Sequence, residues 1–378
     1  MKIAAFTRVW TTHGLGGMQI RVATVAKGLA ERGHEIHVFT TSLPESKVVE
    51  QVDGGVVVHY LPDTAPRRYS REYFDASSEI FKAIARFDIV HSTSSAARRH
   101  VGGPIPVVAT WHGIGTPQDD VNLLRIGGQP RGSKFDAAIL GYDHSIVIGA
   151  QEQRLLVAQG LARNRVHLIH HGVDETLFVP AEPAGTEGRR RLGLGPDHFV
   201  IGICGRLVFD KGLDQIVKAA PLLDPRIEVL AIGDGPAVNG LRASFRQRLH
   251  HIPTRPHREM PDYYNAMSLF INATAREQGF DLATVEAMLC GVPVLVSNVG
   301  AHEVLAEGAS FFDLGNVADL AGRINTLANA STLRNMGMEG RGLAQRLFNR
   351  TRMLDLVEAA LEATAGAGPE VGTGHRVK

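Results

Sequence analysis

Gly205-Arg206-Leu207-Val208-Phe209-Asp210-Lys211-Gly212 follows directly on the apolar run Phe199-Val200-Ile201-Gly202-Ile203-Cys204. The run reads as a buried strand. The glycine that ends it predicts a turn presenting Arg206 and Lys211 together, immediately before a helix. Two cations beside backbone N–H groups suit a diphosphate, because charge-assisted hydrogen bonds are the strong ones. Alone, the octapeptide is equally a solvated surface turn. Further along, Glu277-Gln278-Gly279-Phe280-Asp281-Leu282-Ala283-Thr284-Val285-Glu286-Ala287-Met288 places a glycine-containing loop before another helix, with a carboxylate on its buried side. The two elements together predict a nucleotide-sugar site.

A chain of 378 residues exceeds one ordinary core, so two domains are expected. With 44% apolar and 21% charged residues the composition is that of a soluble globular protein. A net charge of +1 gives no electrostatic case for nucleic acid or a membrane surface as partner. Cys204 and Cys290 lie in apolar runs and read as buried free thiols, which suits the cytoplasm; peripheral contact with the inner membrane face stays open. No run approaches the ~20 apolar residues that span a bilayer, and the short apolar start Met1 to Thr7 lacks a signal-peptide core. An integral membrane segment is therefore not expected.

Short β-rich runs alternate with helical patterns, the mark of parallel α/β architecture. Strands are expected at Lys2–Thr7, Glu35–Thr40, Val56–Leu61, Asp88–Ser92, Pro106–Trp111, His144–Ile148 and Val166–Ile169. Met18 to Arg32 reads as a helix with Val22, Val25, Ala26 and Leu29 on one face, stopped by Gly33. Residues 1–177 form the expected first domain. The proline- and glycine-rich stretch 178–197, with Arg189-Arg190-Arg191, reads as a linker. A second strand-helix series fills 198–349: Phe199–Cys204, Glu228–Ile232, Leu269–Asn272, Pro293–Val296 and a short strand near Phe311. A helix at about 350–365 is expected to pack back on the first domain, and the glycine-rich 366–378 reads as a disordered tail.

These motifs, in this order, resemble the retaining glycosyltransferases of family 4, from Gly14-Leu15-Gly16-Gly17 through the tail. The resemblance implies the GT-B fold, an α/β fold of two Rossmann-like domains whose parallel sheets face each other across a cleft. The first domain would then bind the acceptor and the second the nucleotide sugar. In the loop His13-Gly14-Leu15-Gly16-Gly17-Met18-Gln19, Gly16 and Gly17 correspond to a glycine pair near the donor phosphates and acceptor. Gln19 and the strand end Thr40-Thr41 break a dinucleotide fingerprint, so NAD is not expected. His112, in Thr110-Trp111-His112-Gly113, stands where family members touch the donor sugar and is the catalytic candidate of the first domain. His170-His171-Gly172-Val173-Asp174 resembles a structural hinge strand. Arg206 and Lys211 correspond to the cations on the donor diphosphate. Ile232-Gly233-Asp234-Gly235-Pro236 resembles the family's strand end turning, through Gly235, into a helix that walls the nucleotide pocket, and His251 to Pro256 stands where family members present backbone groups to the base.

The chain departs from the family at its paired glutamates. Glu286 keeps its place and is expected to accept from the ribose hydroxyls. The first glutamate is replaced by Gln278, with Glu277 one place further off, so either residue is open to that role. Asp281 and Ala283 replace the usual glycine and proline. The amides of Gly279, Phe280, Asp281 and Leu282 remain placed for sugar hydroxyls and a phosphate. Among 17 histidines no metal-ligand spacing stands out, so neither a metal nor a cofactor is expected.

The implied activity is sugar transfer from a nucleoside-diphosphate sugar to an acceptor hydroxyl with retained anomeric configuration, of the hexosyltransferase type. UDP is the default base. The acceptor stays open between a glycan, a lipid-linked sugar and a small metabolite; the cluster Pro66 to Phe74, with Arg67, Arg68 and Arg71, suits a phosphorylated or lipid-linked one. The alternatives are a catalytically silent nucleotide-sugar-binding protein, an oxidoreductase and a glycan phosphorylase.

Overall fold

The structure, a computed structural model, describes residues 1–14, 16–43, 50–84, 86–93, 104–114, 117–129, 137–181, 186–195, 197–277 and 281–367. They fold as two α/β units. The first holds the described residues of Met1–Gly113, Asp136–His170 and Thr351–Lys378, and the second those of Ile114–Phe135 and His171–Arg350.

The first unit carries strands β1 (Lys2–Phe6), β2 (Glu35–Thr41), β3 (Glu50–Asp53), β4 (Val56–Leu61), β5 (Ile89–Ser92), β6 (Val107–Trp111), β7 (His144–Val147) and β8 (Val166–Leu168). Their order in the sheet is β3-β4-β2-β1-β5-β6-β7-β8. All neighbours are parallel except β3, which runs antiparallel to β4. Strands such as Val107–Trp111 are buried along their whole length, because helices cover both faces of a parallel sheet. Helix Gly17–Glu31 buries Val22, Val25, Ala26 and Leu29 in a core shared with Met353, Leu354, Val357 and Leu361 of helix Arg350–Ala367. Arg32 fastens the two, donating to Glu358 at 2.5 Å and to Asp355 at 2.6 Å.

The second unit carries β9 (Phe199–Cys204), β10 (Ile227–Ile232), β11 (Leu249–Ile252), β12 (Leu269–Asn272), β13 (Val294–Ser297) and β14 (Ser310–Phe312). The order is β11-β10-β9-β12-β13-β14, and every pairing is parallel. The direction in which successive strands are added therefore reverses between β9 and β12. In open sheets of this kind ligands bind beyond the carboxyl ends of the strands at that reversal.

Four features differ from expectation, each for a local reason. Edge strand β3 is the polar run Glu50-Gln51-Val52-Asp53, whose lack of an apolar face hid it. Gly54 and Gly55, at φ 59° and 78°, make its hairpin turn to β4. Edge strand β11, absent from the expected strands, is half-buried and rich in histidine. The described residues of 178–197 pack on the second unit: Phe178 is wholly buried, its ring centroid 5.1 Å from that of His257, and Arg189 donates to Ser268 Oγ at 2.9 Å. Finally, helix Pro117–Arg125, inside the expected span 1–177, belongs to the second unit. Leu123 and Ile126 pack there on Ala275, Val299 and Leu314, which interrupts the first unit.

Candidate donor site

Strand β9 delivers the Arg206 turn to the reversal point. Gly205 N–H donates to the Ile232 carbonyl at 3.0 Å, Leu207 N–H to Asp234 O at 2.9 Å, and Ala237 N–H to Leu207 O at 3.1 Å. These bonds stitch the turn after β9 to the one after β10. Gly235 has φ 155°, and a Cβ there would fall on the Leu207 carbonyl, so the close approach needs glycine. Gly212, left-handed at φ 69°, starts helix Leu213–Ala219 with its Cα against the Ala273 carbonyl.

Arg206 is exposed, whereas Lys211 is half-buried and ion-paired through Nζ with Asp281. The other Asp281 oxygen accepts from Asn272 Nδ2 at 3.1 Å. Burial alone would raise the Asp281 carboxyl, but the charge and hydrogen bond of Lys211, then the charge of Arg276, hold it well below the usual carboxylate range. Arg276 donates to Asp210 at 3.0 Å; burial would lower its pKa, yet Asp210 and Asp281 raise it. Asp210, Lys211, Asp281 and Arg276 thus form an alternating run of charge at the ends of β9 and β12.

Asp281 precedes helix Leu282–Leu289, which is apolar all round and buried, as is Leu282 itself. Glu286 is 5% exposed on this helix, and both its oxygens are engaged. His257 Nε2 donates to one at 2.7 Å and the Tyr264 hydroxyl to the other at 2.6 Å. Gln278, Gly279 and Phe280 lie outside the described residues. The Glu277 carboxylate accepts from Asn122 Nδ2 and from the Gly300 N–H, and the Glu277 N–H donates to Asp119 at 2.9 Å. Asn122 and Asp119, which the sequence reading overlooked, therefore engage Glu277 from helix Pro117–Arg125. Cys204 also lies here, its thiol pushed up to about 12 by burial.

In the first unit Gly16 precedes helix Gly17–Glu31 and Gly17 begins it. His13 braces this loop. Its Nδ1 accepts from the Trp10 N–H at 3.0 Å, which leaves Nε2 protonated to donate to Thr41 O at 3.0 Å. His112 follows β6 and lines a pocket with His91, Thr110 and Arg21. Burial pushes His112 down to about 3 and His91 to about 4, with the charge of Arg21 adding to both. His112 is thus a neutral imidazole near pH 7. Arg21 was missed by sequence reading, though its position four residues before Val25 puts it on the helix's buried stripe. Arg8 stacks on Tyr69, whose hydroxyl lies 2.8 Å from Thr93 Oγ1; Arg67, Arg68 and Arg71 are exposed nearby in sequence.

Residues 15–177 match the model described as Glycosyltransferase Family 4, and residues 198–330 the one described as Glycosyl transferases group 1. The chain is 30% identical over 318 residues to D-inositol 3-phosphate glycosyltransferase 1 of Catenulispora acidiphila, covering 75% of each chain. The chain belongs to glycosyltransferase family 4. A second D-inositol 3-phosphate glycosyltransferase, from Nocardia farcinica, is 26% identical and aligns with 96% of this family 4 chain and 89% of its own. Among solved structures, sucrose-phosphate synthase from Thermosynechococcus elongatus superposes with a TM-score of 0.81 at 20% identity, over 97% of this chain and all of that one. HepE from Anabaena in complex with UDP-glucose gives 0.73 at 18% identity, over 96% and 100%. The fold of this family 4 enzyme is therefore GT-B, and its activity class is glycosyl transfer. No helix among the described residues is long and apolar enough to cross a membrane.

Proposed function

We propose that this enzyme transfers a hexosyl group from a nucleoside-diphosphate sugar, with UDP as the default base, to an acceptor hydroxyl with retained anomeric configuration. The observation that carries the proposal is the placement of Arg206 and Lys211 on one glycine-bounded turn at the β9–β12 reversal, beside the start of helix Leu282–Leu289. Charge accumulates on the departing diphosphate as the sugar acquires oxocarbenium character. Fixed cations there stabilise the transition state more than the ground state. The bond from the anomeric carbon to the phosphate oxygen breaks while the bond to the acceptor oxygen forms on the same face. The acceptor proton passes to the departing phosphate oxygen, so no carboxylate base and no divalent ion are required.

His112 would serve as a neutral hydrogen-bonding group towards the sugar, in keeping with its depressed pKa. Glu286 would receive the ribose hydroxyls, sharing its oxygens with His257 and Tyr264. The relatives named for inositol 3-phosphate, together with exposed Arg67, Arg68 and Arg71, support an anionic, phosphorylated polyol as acceptor. Incubation with UDP-, GDP- and ADP-hexoses and a set of polyol phosphates, with product anomers assigned by NMR, tests this. A product with inverted configuration, or no transfer from any of these donors, contradicts it.

A further inference from the structure

We propose that Asp281 is a built-in competitor for the donor diphosphate at Lys211, and so sets how tightly the enzyme holds its nucleotide. The inference rests on the assignment of Lys211 given above and deepens it. Asp281 stands at the N-cap of helix Leu282–Leu289, where an aspartate ordinarily accepts from the helix's own first N–H groups. Here it makes no such side-chain bond. Its carboxylate is turned instead to Lys211 Nζ and Asn272 Nδ2. Asn272 is itself pinned, donating to Thr284 Oγ1 at 2.9 Å. The lysine most suited to a phosphate is thus already holding an anion.

The pair is not sealed from solvent. The Lys211 and Asp281 side chains are 15% and 24% exposed, so a phosphate oxygen can approach the ammonium. Arg206 remains exposed for the first encounter. When a diphosphate takes Lys211, the released carboxylate keeps its Asn272 hydrogen bond and the attraction of Arg276. The exchange therefore swaps one charge-assisted contact for another, and does not strand a buried charge. Nucleotide affinity is lower than a bare lysine would give, and the product diphosphate is more readily displaced as the carboxylate returns.

The test compares wild type with Asp281→Asn and Asp281→Gly, titrating UDP, GDP, ADP and dTDP, and the matching nucleosides, by calorimetry. Removing the carboxylate should tighten the diphosphate roughly tenfold, the scale of one screened charge pair, and leave nucleoside affinity unchanged. Asp281→Gly decides the matter if Asp281→Asn does not fold. Unchanged or weaker diphosphate binding in a folded variant overturns the proposal, as does failure of both variants to fold, since the pair would then be structural. Wild type that binds a diphosphate whose affinity Arg206→Ala does not alter contradicts the underlying site assignment instead. Absence of diphosphate binding by every form, wild type included, sinks both.

Discussion

His257 and Glu286 are joined by a 2.7 Å hydrogen bond from imidazole N–H to carboxylate oxygen, and Tyr264 closes on the second oxygen at 2.6 Å. Glu286 is thus oriented before any ribose arrives, with its charge satisfied inside an otherwise apolar helix. Replacing it with alanine leaves the buried Tyr264 hydroxyl without an acceptor, a loss of roughly 1–3 kcal/mol, and also frees the half-buried His257. Glu286→Ala should lower the melting temperature and weaken nucleotide binding. Calorimetric titration together with thermal melting separates the two effects; intact nucleotide affinity in a folded variant would remove the ribose role.

The same pair gives a pH signature. Burial would lower the His257 pKa, but the hydrogen bond and charge of Glu286 raise it above 6.5 overall. A raised folded-state pKa contributes stability that is complete below the unfolded value and fades as pH rises through the folded one. His257→Gln should therefore lose less stability, relative to wild type, at pH 8.5 than at pH ~6. A pH-independent difference between the two proteins would contradict the assignment.

His91 and His112 act in the opposite sense. Burial depresses them to about 4 and about 3 from 6.5, so folding excludes their protons. Stability is complete above pH 6.5 and falls below it, by about 1.4 kcal/mol per pH unit for each histidine, until the folded values are reached. Denaturant unfolding at pH 7.5 and 5.5 should show this loss, and His91→Gln should reduce the slope. An unchanged slope in that variant refutes the attribution.

Asn122 donates to the Glu277 carboxylate from helix Pro117–Arg125. Removing this donor with Asn122→Ala leaves a half-buried charge with one partner fewer. The expected cost is roughly 1–3 kcal/mol, read as an earlier melt. A melt within error of wild type would mean that the Gly300 N–H alone satisfies Glu277.

The parallel strands were legible because their apolar runs are continuous, as in Phe199–Cys204, where strand and sequence run coincide. Polar edge strand β3 was not, since nothing in Glu50-Gln51-Val52-Asp53 alternates strongly. The turn carrying Arg206 and Lys211 could be placed from glycine positions alone. The partner of Lys211 could not: Asp281 lies far along the chain, and an aspartate before a helix reads as its cap. Helix Pro117–Arg125 shows the remaining gap. Its amphipathic pattern says that one face is buried, but not that the face packs on Ala275, Val299 and Leu314, in the segments that follow β12, β13 and β14.

Loss of one electrostatic contact to a leaving group typically costs ~10²–10³ in rate, so Arg206→Ala and Lys211→Ala should each reduce transfer on that scale. Arg206→Ala should leave the melt intact, whereas Lys211→Ala also removes the ion-pair partner of Asp281 and should lower it. The most direct measurement is a crystal structure of the enzyme with its bound nucleoside diphosphate. The diphosphate oxygens should lie within hydrogen-bonding distance of the Arg206 guanidinium and Lys211 Nζ, with the lysine drawn off Asp281. A diphosphate bound elsewhere, or these two side chains turned into bulk solvent beside it, would contradict the account.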